Sequence, residues 1–374
     1  MASDQVVPGS TGGSVHVLEV ARGLAARGHE VHAVVHRDSA LPEREERDGV
    51  HWHRIAWSPP HRFFRFRARP AVAAIAAQVE PDVVIERYYN FGGEGIAVAS
   101  QRKTPSVLEV NSPILDHPGS LKAALDALTL VRPLRRYREG LCRRAAALVA
   151  PLPEIVPDFA RGKTETVTWG VNVEAFGPDR RSEAVRAALG IPTDAVGVVF
   201  SGSFRPWHGV HVLEEAARRL ARRQDLYFLF AGGPGAGEAR GYRGRLLGRV
   251  PYERMPEVVA AADIGVAPYD TSRLAQLRLG FYWSPLKIFE YMAAGLPTIT
   301  IPRFPLTEIV RDGEEALHVR EGDPADLARA IERLADDPGL RAEMGRKARE
   351  RVVARYTWAR HCEQLEGVLR RIAR

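Results

Sequence analysis

The sequence predicts an α/β protein of two doubly wound domains that face a cleft, each with a mostly parallel sheet covered by helices. Two series of short apolar runs alternate with stretches of helical spacing, as is typical of parallel sheets. A turn-rich stretch separates the two series, and the length of 374 residues favours two domains over one. Ligands of such sheets bind beyond the carboxyl ends of the strands, so we expect the functional residues there.

The first series begins with residues 13–35, which predict a helix, a stop at Gly28 and a short strand. Val17, Ala21 and Leu24 hold the helical spacing of this stretch. Further strands are predicted at 81–89, 105–110 and 146–151.

The second series follows the turn-rich residues 167–181. Its strands are predicted at 195–203, 226–233, 263–268 and 296–302. Its helices are predicted near 209–223, 254–262, 285–294 and 324–336. We therefore expect an amino-terminal domain over 1–175 and a carboxy-terminal domain over 176–355.

The first eight residues, "MASDQVVP", have fewer apolar side chains than a central strand typically has. Such a strand typically has about five or six residues, mostly apolar, whereas this stretch holds one Val-Val pair between polar residues and a proline. The pattern leads to the hypothesis that the first strand is truncated and that the true start lies roughly 5–10 codons upstream.

Composition and charge restrict the class of protein. Hydrophobic residues make up 45% and charged residues 26%, as in soluble globular proteins, and no apolar run approaches a membrane span. Cys142 and Cys362 form neither a disulfide framework nor a zinc pattern, which favours the cytoplasm. The net charge of +7 suggests an anionic partner, such as a phosphorylated substrate or lipid headgroups. Nucleic acid is a poorer choice, because no recognition motif accompanies the charge.

The stretch "SPLKIFEYMAAGLPTIT" over 284–300 places two opposite charges in an apolar helix. Ser284 is a good N-cap and Pro285 suits the first helical position. The free N–H groups and Lys287 then form an anion site, and Glu290 can accept hydrogen bonds from a diol such as ribose. The alternative is a solvated Lys–Glu ion pair on a partly exposed helix.

A second anion site is predicted at "SGSFRPWHGV" over 201–210, which follows a strand and opens a helix. Small residues such as Ser203 let backbone N–H groups approach a phosphate, and Arg205 and His208 add side-chain donors. The alternative is a surface turn with incidental charges.

Two glycine-rich turns are weaker signals on their own. Gly233 lies in "AGGPGAG", which follows a strand and predicts a tight loop. Gly12 and Gly13 close "GSTGG", which opens the first helix and would approach a ligand from across the cleft.

Together these stretches resemble the family 4 glycosyltransferases of the GT-B fold. The resemblance covers nearly the whole chain, and its full ordered set of segments is highly specific. The segments are "RGHEVHAV", "WGVNVEAFGPD", "GSFRPWHGV", "FAGGPG", "LGRVPYERMPEVVAAADIGVAP", "SPLKIFEYMAAGLP" and "IVRDGEEALHV".

The resemblance implies a retaining, metal-independent transfer of a sugar from a UDP- or GDP-linked donor, with no further cofactor. The acceptor would be a hydroxyl of a glycan, a lipid-linked compound or a small molecule. The donor would bind the second domain and the acceptor mainly the first. The carboxy-terminal helix, around 356–374, would cross back onto the first domain.

The resemblance also implies roles for single residues in the second domain. Glu290 matches the family glutamate that binds the ribose, while the N–H groups of Leu286 and Lys287 and the Lys287 ammonium would face the diphosphate. Arg249 and Val250 would border the base.

Arg205 and His208 lie where the family places a basic pair on the diphosphate, although the family usually has lysine in place of His208. Cationic donors there would replace a divalent metal, and the chain contains no D-x-D motif. We therefore expect no metal ligands in the site.

Two positions depart from the family pattern. The family often has a donor-contacting glutamate where this chain has Tyr282, and a histidine near the transferred sugar where it has Asn111. Asn111 or the nearby Glu109 would then substitute for that histidine; the alternative is a turn asparagine and a sheet-edge glutamate. These departures keep open a catalytically silent binding subunit of the same fold, and a sugar-nucleotide epimerase is a further rival.

Residues 61–75 interleave arginines with aromatic side chains: Arg62, Phe63, Phe64, Arg65, Phe66, Arg67 and Arg69. Such a stretch suits docking on an anionic membrane that bears a lipid-linked acceptor, which would make the protein peripheral at the inner membrane face. The alternative is a solvated face with its phenylalanines in the core.

Overall fold

The computed structural model describes residues 1–9, 11–38, 40–56, 65–90, 92–114, 124, 132–274, 277, 280–282 and 284–373. The chain forms two compact units. The first unit consists of Met1–Trp169, Tyr282–Ser284 and Trp358–Arg374, and the second of Gly170–Phe281 and Pro285–Thr357. The domain bounds expected at residues 175 and 355 remain predictions.

The first unit holds an eight-stranded sheet in the order β3-β4-β2-β1-β5-β6-β7-β8. Its strands are β1 (Ala2–Val6), β2 (Val31–His36), β3 (Arg44–Arg47), β4 (Val50–Ile55), β5 (Val84–Arg87), β6 (Ser106–Glu109), β7 (Ala147–Ala150) and β8 (Thr164–Thr166). All neighbouring strands are parallel except the antiparallel pair β3–β4.

The first residues occupy the central slot, so the expectation that this stretch is too polar to form the strand is wrong. Ala2 pairs with Val34 on one side and with Glu86 on the other. Ala2 and Ser3 are buried, and the more polar Asp4 lies at the carboxyl end, where Arg87 is 3.4 Å from its carboxylate. Backbone pairing on both sides outweighs the lack of apolar side chains, because empty ladder positions leave buried groups without partners. The upstream start remains a prediction.

The helices of the first unit flank this sheet. They are Gly12–Ala26, Arg69–Val79, Glu94–Arg102, Arg132–Arg144, Asp158–Arg161 and Trp358–Ile372. The carboxy-terminal helix packs against the first helix, as expected. Gly23 lies so close to Cys362 that a Cβ there would overlap its sulfur, and Glu366 accepts hydrogen bonds from Arg27 and His29.

The second unit holds a seven-stranded sheet in the order β11-β12-β10-β9-β13-β14-β15. Its strands are β9 (Val196–Ser201), β10 (Leu226–Ala231), β11 (Ala236–Glu238), β12 (Gly244–Gly248), β13 (Ile264–Ala267), β14 (Thr298–Thr300) and β15 (Ala316–His318). Its helices are Glu183–Ala188, Val210–Arg219, Met255–Ala260, Leu286–Ala293, Leu306–Ile309, Pro324–Asp336 and Pro338–Arg355. The α/β class with two mostly parallel sheets is therefore confirmed.

The predicted N-cap of the Leu286–Ala293 helix is wrong. Pro285 holds the cap position without a side-chain hydrogen bond. The Ser284 hydroxyl instead accepts a hydrogen bond from the Trp169 N–H at 3.3 Å. Ser284 thus belongs to the first unit by its packing.

Residues 61–64 of the arginine-rich segment 61–75 lie outside the described residues. Its described part is a short 3-10 turn, Arg65–Ala68, followed by the helix Arg69–Val79. Among the described residues, no helix has the length and apolar character needed to cross a membrane.

Candidate functional site

The Leu286–Ala293 helix carries its two charged side chains inside the second unit. Lys287 is 9% exposed and Glu290 is 6% exposed, and every residue from 287 to 293 is buried. The alternative of a solvated ion pair is therefore wrong. The helix packs against β13 and β14, and Ile288, Phe289 and Tyr291 are buried beside the charged pair.

The Lys287 ammonium lies over two aromatic rings at the end of the sheet. Its Nζ is 4.1 Å from the centroid of the Phe200 ring and 5.2 Å from that of Tyr269. Such rings stabilise a cation through their negative faces. Among the described residues the Nζ has no hydrogen-bond partner.

Residues 201–209, the glycine loop, follow β9 and lie against this lysine. Gly202 has φ 138°, and a Cβ built there would be 2.9 Å from Lys287 Nζ and 3.4 Å from His208 Nδ1. Only glycine readily adopts this backbone conformation, and its missing side chain leaves room beside both nitrogens. The loop is anchored by Tyr291, whose hydroxyl accepts a hydrogen bond from the Ser201 N–H at 2.8 Å.

His208 is a neutral donor or acceptor rather than a cation. Burial, followed by the charges of Lys287 and Arg205, lowers the pKa of His208 to about 2. Its Nδ1 is buried and has no hydrogen-bond partner among the described residues. Without a ligand, His208 is therefore neutral at neutral pH, and its role as a side-chain donor to the diphosphate stays a prediction.

Burial also brings the pKa values of Lys287 and Glu290 close to 7. It lowers the pKa of Lys287 to about 7 against the attraction of Glu290, and it raises the pKa of Glu290 to about 7 against that of Lys287. Perturbed titratable groups of this kind cluster at functional sites. An anion beside Lys287 would restore its positive charge.

The arrangement is suited to binding an anionic, oxygen-rich ligand. Two buried nitrogens that have no hydrogen-bond partner in the described part of the chain lie at one glycine, and an unsatisfied buried polar group costs about 1–3 kcal/mol. The N–H of Ile288 bonds to Pro285 O. The N–H groups of Leu286 and Lys287 at the helix start have no backbone partner among the described residues.

The other residues that were predicted to bind the sugar donor differ in their exposure. Ser203 and Arg205 are exposed on the glycine loop. Gly233 packs against it, because a Cβ there would lie 2.8 Å from the Phe204 ring. Arg249 is exposed and Val250 half-buried just after β12.

The remaining predicted residues belong to the first unit. Gly12 and Gly13 begin the first helix, whose N-cap is Thr11. Tyr282 is buried at 2% exposure. Asn111 is buried and donates a hydrogen bond to Glu109 at 2.9 Å. Its role near the transferred sugar stays a prediction.

Glu109 is the centre of a buried polar cluster in the first unit. His16 Nε2 lies 2.8 Å from its Oε1, the oxygen that also accepts from Asn111. Burial raises the pKa of Glu109, but His16 and Arg87 outweigh it and lower the pKa to about 2. Glu109 is therefore an anion at every physiological pH.

Sequence reasoning missed the carboxy-terminal half of this cluster. The rings of His361 and His16 have centroids 5.3 Å apart, and Trp169 and Trp358 also pack against His16. His361 Nδ1 donates to Thr168 O at 3.0 Å, which leaves its Nε2 without a partner among the described residues. No local motif marks a histidine of the last helix, so only its contacts identify it.

Two families match this sequence, one on each half. The family described as "Glycosyltransferase Family 4" matches residues 10–175, and "Glycosyl transferases group 1" matches residues 195–337.

Two relatives are similar along nearly the full length. A D-inositol 3-phosphate glycosyltransferase of Corynebacterium diphtheriae is 28% identical over 96% of this chain and 90% of the relative. One of Acidothermus cellulolyticus is 29% identical over 97% of this chain and 86% of the relative.

Solved structures share the fold at lower identity. Sucrose-phosphate synthase from Thermosynechococcus elongatus superposes with a TM-score of 0.73 at 21% identity and covers 99% of this chain and 98% of its own. Anabaena HepE in complex with UDP and glucose gives a TM-score of 0.69 at 15% identity, with the same coverage.

Proposed function

Because the chain belongs to glycosyltransferase family 4 and has the GT-B fold, we propose that it is a retaining, metal-independent glycosyltransferase. The donor is a nucleoside-diphosphate sugar, the acceptor is a hydroxyl group, and no further cofactor takes part. The alternative within the same fold is a catalytically silent subunit that binds the donor or a glycan.

The observation that carries the donor assignment is the pair of unpartnered nitrogens beside Gly202. Lys287 Nζ and His208 Nδ1 both adjoin this glycine, and a diphosphate offers the oxygens that both can bond. The ammonium then supplies charge, whereas the neutral imidazole supplies one directed hydrogen bond. Glu290, one turn along the same helix, would accept hydrogen bonds from the ribose hydroxyls.

The same groups are suited to the chemistry of the transfer. Departure of the nucleoside diphosphate builds negative charge on its bridging oxygen, and donors already aimed there stabilise the transition state. Lys287 and the N–H groups of Leu286 and Lys287 would supply that stabilisation in a buried environment. The exposed Arg205 would add positive charge on the solvent-facing side of the diphosphate site.

UDP is the first nucleotide to test, and GDP is the alternative. Anabaena HepE was solved with UDP and with UDP-glucose. Residues Arg249 and Val250, which we assign to the base, lie after β12 and offer an exposed guanidinium with an apolar neighbour.

The acceptor is assigned to the first unit, where Asn111 and Glu109 would contact the transferred sugar or the attacking hydroxyl. The relatives are named for an inositol phosphate acceptor, so a small phosphorylated polyol is the first candidate. Glycans and lipid-linked acceptors are the alternatives.

We place the reaction in the cytoplasm, with peripheral attachment to an anionic membrane through residues 61–75. The support is the alternation of arginines and phenylalanines in that segment. Sedimentation with anionic vesicles tests it: equal binding by wild type and a variant with Arg62, Arg65, Arg67 and Arg69 changed to Gln would contradict it.

The test of the proposed function is transfer itself. Purified protein is incubated with radiolabelled UDP- and GDP-sugars and a panel of polyol phosphates and lipid acceptors. Release of nucleoside diphosphate that depends on an acceptor supports the enzyme. Binding of UDP or GDP without release under every condition supports the silent subunit, and no binding of either overturns the donor assignment.

A further inference from the structure

Three histidines share one face at the outer side of the first sheet. The register pairs His32 of β2 with His51 of β4, and Val34 with His53. Because alternate residues of a strand point to the same face, His32, His51 and His53 project together. On the other side, β3 pairs Glu46 with His51.

A carboxylate completes the group at the start of β2. Glu30 Oε1 lies 2.9 Å from His32 Nε2. One ligand atom each of Glu30, His32 and His51 lies within 4.8 Å of the other two. Around a tetrahedral cation with bonds of about 2.0–2.2 Å, donor atoms are separated by roughly 3.3 Å. Glu30 is exposed and His51 is half-buried, so both side chains have room to rotate toward a shared cation.

The contact between His32 and His53 resembles that between a metal-bound histidine and its outer-shell partner. His32 Nδ1 lies 3.0 Å from His53 Nε2. In the structure the Glu30 carboxylate accepts a hydrogen bond from His32 Nε2–H, and a cation that replaces this proton on Nε2 leaves Nδ1–H to donate to His53. Metal-bound histidines commonly donate their second ring N–H in this way, which sets the tautomer and the ring orientation. The ring of His32 is also stacked on that of His51, with centroids 4.6 Å apart.

We propose that Glu30, His32 and His51 form a binding site for a divalent transition-metal cation, Zn²⁺ in the first place, with His53 as the partner that orients His32. Imidazole and carboxylate ligands suit Zn²⁺, Ni²⁺ and Cu²⁺ better than Mg²⁺. The fourth coordination position belongs to water or to Glu46, whose carboxylate lies 3.8 Å from His51 Nδ1.

The site has a structural role in the first unit. His32 and His51 are the second residues of their strands, so the cluster lies at the amino ends of the strands. Ligands of doubly wound sheets bind at the opposite, carboxyl ends. A bound cation would join β2 to β4 and stabilise the folded state by mass action without taking part in sugar transfer.

The experiment is a Zn²⁺ competition titration of tag-free, full-length protein against a chromogenic chelator, with Mg²⁺ as the reference cation. We expect one Zn²⁺ per chain and a rise of a few degrees in the melting temperature with excess Zn²⁺. His51→Ala should lose at least about tenfold in affinity, and His53→Ala should lose about 10–100-fold as an orienting partner.

His211→Ala is the matched control, because His211 is also an exposed histidine beside a carboxylate, 3.2 Å from Asp270 in the second unit. It should bind Zn²⁺ as the wild type does, and circular dichroism checks that every variant is folded. No Zn²⁺ binding by folded wild type, or equal affinity in wild type and folded His51→Ala, overturns the proposal. If His51→Ala is unfolded, the same titration is made with Glu30→Gln, because Glu30 is exposed. Wild-type Zn²⁺ affinity in Glu30→Gln would then overturn the proposal.

Discussion

Lys287 Nζ lies 4.1 Å from the centre of the Phe200 ring, buried and without a hydrogen-bond partner among the described residues. The ring faces of Phe200 and Tyr269 and the attraction of Glu290 stabilise the ammonium in this position. The free energy of its desolvation is recovered when an anion binds, so the structure favours a ligand that carries negative charge.

Removing either charge of the Leu286–Ala293 helix should weaken nucleoside-diphosphate binding. Lys287→Met and Glu290→Gln each remove a charge-assisted hydrogen bond to the ligand, at a cost of about 1.5–3 kcal/mol, or roughly ten- to hundredfold in Kd. Titration calorimetry with UDP and GDP measures the effect. Lys347→Met, which removes a surface lysine paired with Glu343, is the control and should bind as wild type. Wild-type affinity in both helix variants would contradict the assignment of the nucleoside diphosphate to Lys287 and Glu290.

Binding of UDP above neutral pH should take up close to one proton. The pKa of Lys287 is about 7 without ligand, so the amine is mostly neutral at pH 8. A diphosphate stabilises the ammonium and raises that pKa, and affinity therefore falls as pH rises above 7. Calorimetry at pH 8 in buffers of different ionisation enthalpy gives the proton count. Heats that do not depend on the buffer, or uptake that persists in Lys287→Met, would contradict this assignment.

A methyl group at Gly202 should block the diphosphate site. In Gly202→Ala the new Cβ would lie 2.9 Å from Lys287 Nζ, and alanine is strained at φ 138°. We expect a large loss of UDP affinity in a protein that stays folded by circular dichroism. Gly235→Ala is the matched control, because a Cβ there meets open space. A Gly202→Ala variant that binds UDP like Gly235→Ala would place the ligand elsewhere.

Acid should destabilise the first unit through Glu109. Its pKa is lowered from 4.5 to about 2, so its stabilising contribution is complete above pH 4.5 and is lost as pH falls through 2. The full effect corresponds to roughly 3 kcal/mol, of which roughly 2 kcal/mol is already lost at pH 3. Urea unfolding at pH 6 and pH 3 should therefore show a smaller pH dependence in Glu109→Gln. Equal dependence in both proteins would show that His16 does not hold this carboxylate.

Sugar transfer should survive chelation. The chain has no D-x-D motif, and the diphosphate is assigned to Lys287, Arg205 and the helix N–H groups. We expect the transfer rate in EDTA to match that in Mg²⁺, while EDTA lowers the melting temperature of Zn²⁺-loaded protein. A complete loss of transfer that Mg²⁺ or Mn²⁺ restores would show that the proposed mechanism is wrong.

The pattern of local residues predicted β2, β5, β6 and β7 of the first sheet and β9, β10, β13 and β14 of the second, but not the remaining strands. Buried runs such as those of β9, β10 and β13 are bounded by turns, and the helix Pro324–Asp336 begins at its Asp323 cap. These signals lie within a few residues of each other in the chain, because the backbone period and the capping groups of an element are local properties. The charges of Lys287 and Glu290 could be noticed for the same reason.

Tertiary packing decided the properties that depend on distant residues. The strand Ala2–Val6 forms in spite of its polar side chains because two neighbouring strands need its backbone. His361 meets His16 only because the last helix packs on the first, and their ring centroids end 5.3 Å apart. Burial sets the charge of His208 and Lys287, since the cost of desolvating a group depends on every chain segment around it. The sequence by itself therefore determined which groups the site contains, and only the fold decided which of them are charged, partnered and in contact.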